Sequence, residues 1–305
     1  MGPEILVLLV LAAAVKAGSP RKPVLVFRPN YDKYLQGDKI KMTCNARPTE
    51  RTYRWYHNNN FIAEGETYEI AKAEKKQSGG YQCQNKNGTK SEIVTLNVVD
   101  GLLALQTSPY IFEGERLLLR CYHRPNIDAK RSAFFKDKAV IQNWSDANVF
   151  TKQAINKTAS GSYTCTKEVS MGSGLSLISA NVSVFVRDLF TTPEIQVTPY
   201  PVKIGKKVIL TCHTNVSKYS PSTEPWYGFY KDKQNIQKFS PINQFEIQSF
   251  QRGGSGRYSC GVTPKTSSVT KISKEVLVNS SNKTAFTQNI VECVLIISIM
   301  FIFIM

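Results

Sequence analysis

The chain has 305 residues, with 39 Lys and Arg against 23 Asp and Glu, and a formal charge of +16. That excess reads as attraction to an acidic partner or sulfated glycans, or as a solvated surface partly neutralised by sialic acid. No nucleic-acid-binding motif accompanies it, so nucleic acid is excluded as a partner. The three His, at 57, 123 and 213, stand beside strand residues and outside any H-E-x-x-H, G-x-S-x-G or phosphate-loop context, so no enzyme, metal site or cofactor is expected.

Residues 1–17 carry an apolar run over 5–15, then Val15-Lys16-Ala17, small residues at the spacing a signal peptidase uses, although Glu4 precedes the run and no basic residue does. This predicts a secretory signal peptide removed after about Ala17, hence an oxidising compartment.

The next segment, 18–99, holds two phrases that recur. Gly37 stands seven residues before Cys44 with Ile40-x-Met42-x-Cys44 between, and Ser78-Gly-x-Tyr-x-Cys83 follows. Alternation ending on a Cys places it on a strand with one buried face, and a Tyr two residues before the second Cys shares that Cys's face. Trp55, eleven residues after Cys44, is where a sandwich packs its Trp on an inter-sheet disulfide. The set describes an immunoglobulin-like sandwich with a tyrosine corner. Lys72, Lys75 and Lys76 cluster before the corner, and Arg47, Arg51 and Arg54 lie in or near the first B–C loop.

The same two phrases fall at Gly114, Cys121 and Ser160 to Cys165 in segment 100–187, and at Gly205, Cys212 and Ser255 to Cys260 in segment 188–279. The fold class is therefore all-β, three tandem immunoglobulin-like β-sandwich domains, with disulfides Cys44–Cys83, Cys121–Cys165 and Cys212–Cys260. Phe134-Phe135-Lys136-Asp137-Lys138 and Phe229-Tyr230-Lys231-Asp232-Lys233 mark one strand in two repeats, suggesting duplication, with Phe in place of Trp. Joints as short as Asp100-Gly101 and Thr191-Thr192-Pro193 imply that neighbouring domains touch. Seven sequons, at Asn87, Asn143, Asn156, Asn181, Asn215, Asn279 and Asn282, read as a glycosylated ectodomain.

Residues 280–305 end in an apolar tail after Cys293. As a helix it would reach about 20 Å, short of a hydrocarbon core of about 30 Å. Small residues Ser280, Ser281 and Asn282, a polar spacer from 283 to 292, and the tail fit a glycosylphosphatidylinositol anchor signal better. A short transmembrane helix containing Asn289 and Glu292 is the second reading, and an incomplete gene model the third.

Gly114-Glu-Arg-Leu-Leu-Leu-Arg-Cys121, Asp100-Gly101-Leu102-Leu103-Ala104-Leu105-Gln106 and the Lys-Asp phrase resemble the extracellular domains of Fc receptors and Fc receptor-like proteins, over all three repeats and most closely in the second. The resemblance implies a membrane-attached leukocyte receptor on the outer face of the plasma membrane. It would bind a protein ligand, an immunoglobulin or another glycoprotein, and signal through an adaptor or co-receptor. Antibody-binding members clamp an antibody proline between two Trp, whose positions here look like Gly101 and Ile127, so IgG is not expected to bind in that way. Gly101, Asn126 and Ile127 are the candidate ligand-binding residues. The family's Asp six residues before the second Cys is replaced by Gln77, Ala159 and Gly254, and Glu292 would repel an acidic adaptor. A cell-adhesion glycoprotein is the alternative function.

Overall fold

A computed structural model of the chain describes residues 22–46, 50–172, 174–220, 223–266 and 268–280. The signal peptide, Arg47, the sequon at Asn282, and Asn289 and Glu292 before the apolar tail lie outside the described residues. The chain divides into two compact units, one ending at Asp100 and one starting at Gly101. No helix of the described residues is long and apolar enough to cross a membrane.

The first unit is one sandwich. Val24–Arg28, Ile40–Asn45 and Thr67–Ile70 form one sheet; Asn60–Gly65, Tyr53–His57, Gly79–Gln84 and Val94–Leu96 form the other. Alternate residues of both turn inward onto Trp55, Tyr81 and the Cys44–Cys83 disulfide, as a pleated strand with one wet face requires. The Trp55 indole donates to the Gly65 carbonyl at 3.0 Å, so the buried ring leaves no donor unpaired.

The second unit repeats the plan twice. In its first sandwich Leu103–Gln106, Leu117–His123 and Val149–Lys152 face Ala139–Ser145, Ala129–Lys136, Gly161–Met171 and Gly174–Val184. Glu194–Thr198, Val208–His213 and Gln244–Ile247 face a sheet built on Gln234–Ser240, Pro225–Lys231 and Gly256–Pro264 in the other. Cys121 is bonded to Cys165 and Cys212 to Cys260. Phe134 and Phe229 are fully buried where the first sandwich has Trp55.

Each Tyr of the repeated phrase closes the same corner. The hydroxyls of Tyr81, Tyr163 and Tyr258 donate to the carbonyls of Gln77, Ala159 and Gly254, at 2.9, 2.8 and 2.6 Å. These acceptors are the positions where the Asp is replaced, and the bond uses their backbone, so it survives the substitution.

The Lys-Asp phrase also has a physical role. Asp137-Lys138 and Asp232-Lys233 have positive φ at both residues, as do Asn58-Asn59, the signature of a tight type I′ hairpin turn. The side-chain oxygen of Asn58, Asp137 or Asp232 then accepts the backbone N–H of Gly80, Ser162 or Arg257, at 2.9, 2.9 and 2.8 Å. Lys136 and Lys231 donate to the carbonyls of Thr158 and Gly253 beside the corner. His57 replaces them in the first sandwich, with Nε2 at 3.0 Å from the Ser78 carbonyl and its ring stacked on Tyr81.

The two sandwiches of the second unit share an apolar seam. Phe112, from the first of them, is buried in the core of the other together with Leu189 and Phe190. Tyr110 stacks on Tyr219 with centroids 4.4 Å apart, and the Arg187 guanidinium lies 4.8 Å from the Tyr219 ring. At the rim Lys271 reaches Asp188 at 2.6 Å and Glu113 at 2.7 Å, and Lys157 reaches Asp188 at 2.6 Å. Lys157 and Lys271 hold the Asp188 carboxyl below its ordinary range. Burial opposes the charge on Lys271, but Asp188 and Glu113 outweigh it and raise the amine.

Lys271→Ala is therefore expected to cost the second unit about 1–3 kcal/mol at neutral pH, because it removes the bonds to Asp188 and Glu113 and leaves Asp188 with Lys157 and Glu113 with the Leu189 N–H. The Asp188 carboxyl is depressed, so its share is present above the unfolded value of about 4 and lost as acid protonates it in the folded state. The gap between parent and variant in urea denaturation should narrow below about pH 4; a gap constant down to pH 2 would show the ion pair to be idle.

Candidate functional site

Hydrogen bonds gather the three candidate residues at one end of the first sandwich of the second unit. The strand pair Leu103–Gln106 and Leu117–His123 continues past His123, because the Arg124 N–H donates to the Leu102 carbonyl at 3.1 Å and Arg124 Nε to the Gly101 carbonyl at 2.8 Å. Arg124-Pro125-Asn126-Ile127 then turns, closed by the Ile127 N–H on the Arg124 carbonyl at 3.1 Å. Proline presets φ for the second position of such a turn. Asn126 is exposed and Ile127 half-buried. Gly101 has φ +138° with only the Leu103 carbonyl, at 3.9 Å, near the place a Cβ would take. Space is open there, but an L side chain would be strained.

A long hairpin stands beside this loop. Gly161–Met171 and Gly174–Val184 pair at eleven positions, and the Ser170 N–H donates to the Asp128 carbonyl at 2.8 Å, tying the hairpin to the turn. Leu175 and Leu177, opposite Ser170 and Glu168, are each 63% exposed. Arg131 grips Glu168 with two bonds of 3.0 and 2.9 Å. Apolar groups beside an oriented ion pair can take a protein surface by burial and register it by charge.

Beneath lies a buried cation. The Lys167 stem is fully enclosed, and its amine donates to Oδ1 of the exposed Asn148. Burial lowers the Lys167 amine, and burial with the charges of Lys167 and Arg120 lowers His123. Among the described residues no group of three His, Cys, Asp or Glu is placed to hold a metal ion.

Arg124, Leu175, Leu177 and Lys167 are additions from the structure. One signal for the leucines is legible in Gly-Leu-Ser-Leu-Ile-Ser-Ala-Asn-Val-Ser-Val, where the apolar phase flips between Leu177 and Ile178. Residues on the far side of that flip must face outward.

With this geometry, relatives can be compared. An immunoglobulin-domain family model matches residues 22–87. Mouse Fc receptor-like protein 5 is 25% identical over 264 residues, covering 85% of this chain and 44% of the relative. Human Fc receptor-like protein 4 is 25% identical over 276 residues, covering 87% and 52%. The chain is similar along most of its length to Fc receptor-like proteins and carries the immunoglobulin fold. A guinea pig (Cavia porcellus) low affinity immunoglobulin gamma Fc region receptor III-A is 31% identical to it over 171 residues, covering 53% of the chain and 66% of that receptor. The chain thus spans about half the length of the first two relatives.

Proposed function

We propose that the chain is a cell-surface immune receptor that takes a protein ligand on the loop and hairpin described above and signals through a partner chain. The observation that carries this is the exposed Leu175–Leu177 pair, set by the hairpin beside Asn126 and Ile127. Exposed leucines on a rigid ribbon gain more from a protein partner than from water. Membrane attachment through residues 281–305, by a lipid anchor or a span, belongs to the same reading. So do glycans on the sequons, of which Asn87, Asn143, Asn156, Asn181, Asn215 and Asn279 are exposed.

Proximity labelling of the full chain on its native cell tests the ligand surface. Leu175→Asp with Leu177→Asp should remove the proteins labelled on facing cells and leave neighbours in the same membrane. Identical profiles for parent and variant would refute the assignment. Polyclonal IgG, the direct probe of the clamp, should show no saturable binding at low-micromolar concentration; binding abolished by changes at Asn126 and Ile127 would restore the antibody reading. Phosphatidylinositol-specific phospholipase C should release the chain if the anchor is lipid, and retention on the surface would favour the span.

The adhesion alternative has one observation of its own. On the first sandwich Phe61 is 57% exposed, with the Arg54 guanidinium 6.0 Å from its ring. Homotypic clustering of cells displaying the chain, lost on Phe61→Ala, would favour it.

A further inference from the structure

The last sandwich has one end covered by the seam with its neighbour and one end that no other sandwich covers among the described residues. At that second end four segments meet: the turn 199–207, the hairpin turn 231–233, the 3-10 turn Arg252–Gly254 and the strand Val276–Val278. The Gly205 N–H donates to the Phe250 carbonyl at 2.8 Å, Phe250 N–H to the Lys206 carbonyl at 3.0 Å, and Lys231 Nζ to the Gly253 carbonyl at 2.5 Å. Val202 bridges in parallel to Ser280, so the described chain leaves here, with residues 281–305 and their apolar run still to follow.

The surface of this end is cationic with an apolar centre. Lys203, Lys206, Lys233 and Arg252 are exposed and make no ion pair among the described residues, whereas their neighbours Lys207 and Arg257 meet Glu246 and Glu275. Tyr200, 68% exposed, and Ile204, 40% exposed, belong to the same turn as Lys203 and Lys206.

Each part suits one surroundings. Lysine stems lie along an apolar boundary with their amines among phosphates, and an aromatic ring with a polar tip settles at headgroup depth. A few cations beside exposed apolar groups make a reversible membrane contact. A sulfated glycan would use the cations but gain little from Tyr200 and Ile204. We propose that this end of the last sandwich rests on a phospholipid surface, its lysines on headgroup phosphates and Tyr200 and Ile204 in the headgroup boundary. The inference rests on the membrane attachment proposed above, and gives the attached chain a fixed stance.

The test uses the full chain purified from cells with Cys293→Ser and Ile204→Cys, an environment-sensitive fluorophore on residue 204, in nanodiscs of phosphatidylcholine. The expected result is blue-shifted emission and shielding from acrylamide relative to the same protein in detergent. Lys203→Glu with Lys206→Glu should return the label toward its accessibility in detergent while the chain stays in the disc. A label as accessible in the disc as in detergent, or shielding untouched by the double change, would overturn the proposal. Heparin binding that needs Lys203 and Lys206 while the label stays accessible would also overturn it, assigning the cations to sulfated glycans. Protein that never enters discs would remove the attachment reading, and this proposal with it, by a separate readout.

Discussion

Gly161→Ala is expected to destabilise the second unit by about 1–3 kcal/mol, although it adds a single methyl group to a half-buried position. Gly161 has φ +151°, and an added Cβ would lie 2.7 Å from Oδ2 of Asp137. That carboxylate cannot swing away without giving up the Ser162 N–H, the largest cause holding its pKa below the ordinary range, ahead of Lys136. Backbone strain of about 1–3 kcal/mol and displacement of an exposed charge-assisted bond act together. The stiffer unfolded chain returns about 0.4–1 kcal/mol. Asp137→Ala alone should destabilise the unit less than Gly161→Ala does, since it loses the Ser162 bond without straining the backbone. In that background Gly161→Ala should cost less than in the parent, because nothing is left to collide with. A cycle of the two changes in urea denaturation, followed by tryptophan fluorescence, measures the coupling. Strict additivity would show that the carboxylate and the glycine are not one device.

Lys167→Met is expected to work in the opposite direction. The position two residues after the second Cys holds Val262 in the last sandwich, also fully buried. Asn243 there accepts the Cys212 N–H at 2.8 Å as Asn148 accepts that of Cys121 at 2.8 Å. The two sites share a backbone and differ by a charge. Enclosing an ammonium with one amide partner and no carboxylate costs more than the single bond returns, and methionine fills a similar volume without a charge. A gain of about 1–2 kcal/mol follows, a rise in Tm of roughly 2–4 °C per kcal/mol for a unit of this size. The sign against pH is fixed as well. The folded amine titrates below its unfolded value of about 10.4, so the unfolded chain binds the extra proton in that window and parent stability rises with pH through it. The advantage of the methionine variant should shrink in alkali. A loss of stability in Lys167→Met at pH 7 would show that the Asn148 bond outweighs the burial. A stabilised variant with weaker ligand capture would show that the charge is retained for the site above it.

Much of the scaffold can be read from residue types. The alternation Ile40-x-Met42-x-Cys44 and the Tyr two residues before each second Cys mark strands and faces because pleat period and burial are local properties. The Lys-Asp phrase was visible as a repeat, but its use was not, since it depends on which N–H a hairpin turn brings opposite Asp137. Among site residues, Gly101, Asn126 and Ile127 are gathered by Arg124, whose guanidinium bond crosses strands and has no sequence period. Leu175 and Leu177 are legible in the phase flip of their strand. Lys167 is legible only as an anomaly, a cation where alternation calls for an apolar residue. What escaped is set by pairing between distant segments, and pairing is not written in any one of them.

The seam around Phe112 changes what counts as a part of this protein. A cut between 187 and 188, where the repeat itself ends, would leave Phe112 bare on one fragment and deprive the other of a ring enclosed in its core. Two pieces made at that cut would be sticky in solution, while a piece beginning at Gly101 and running through Ser280 keeps every apolar contact of the seam. Gene duplication counts three copies along this chain; cooperative melting should count two.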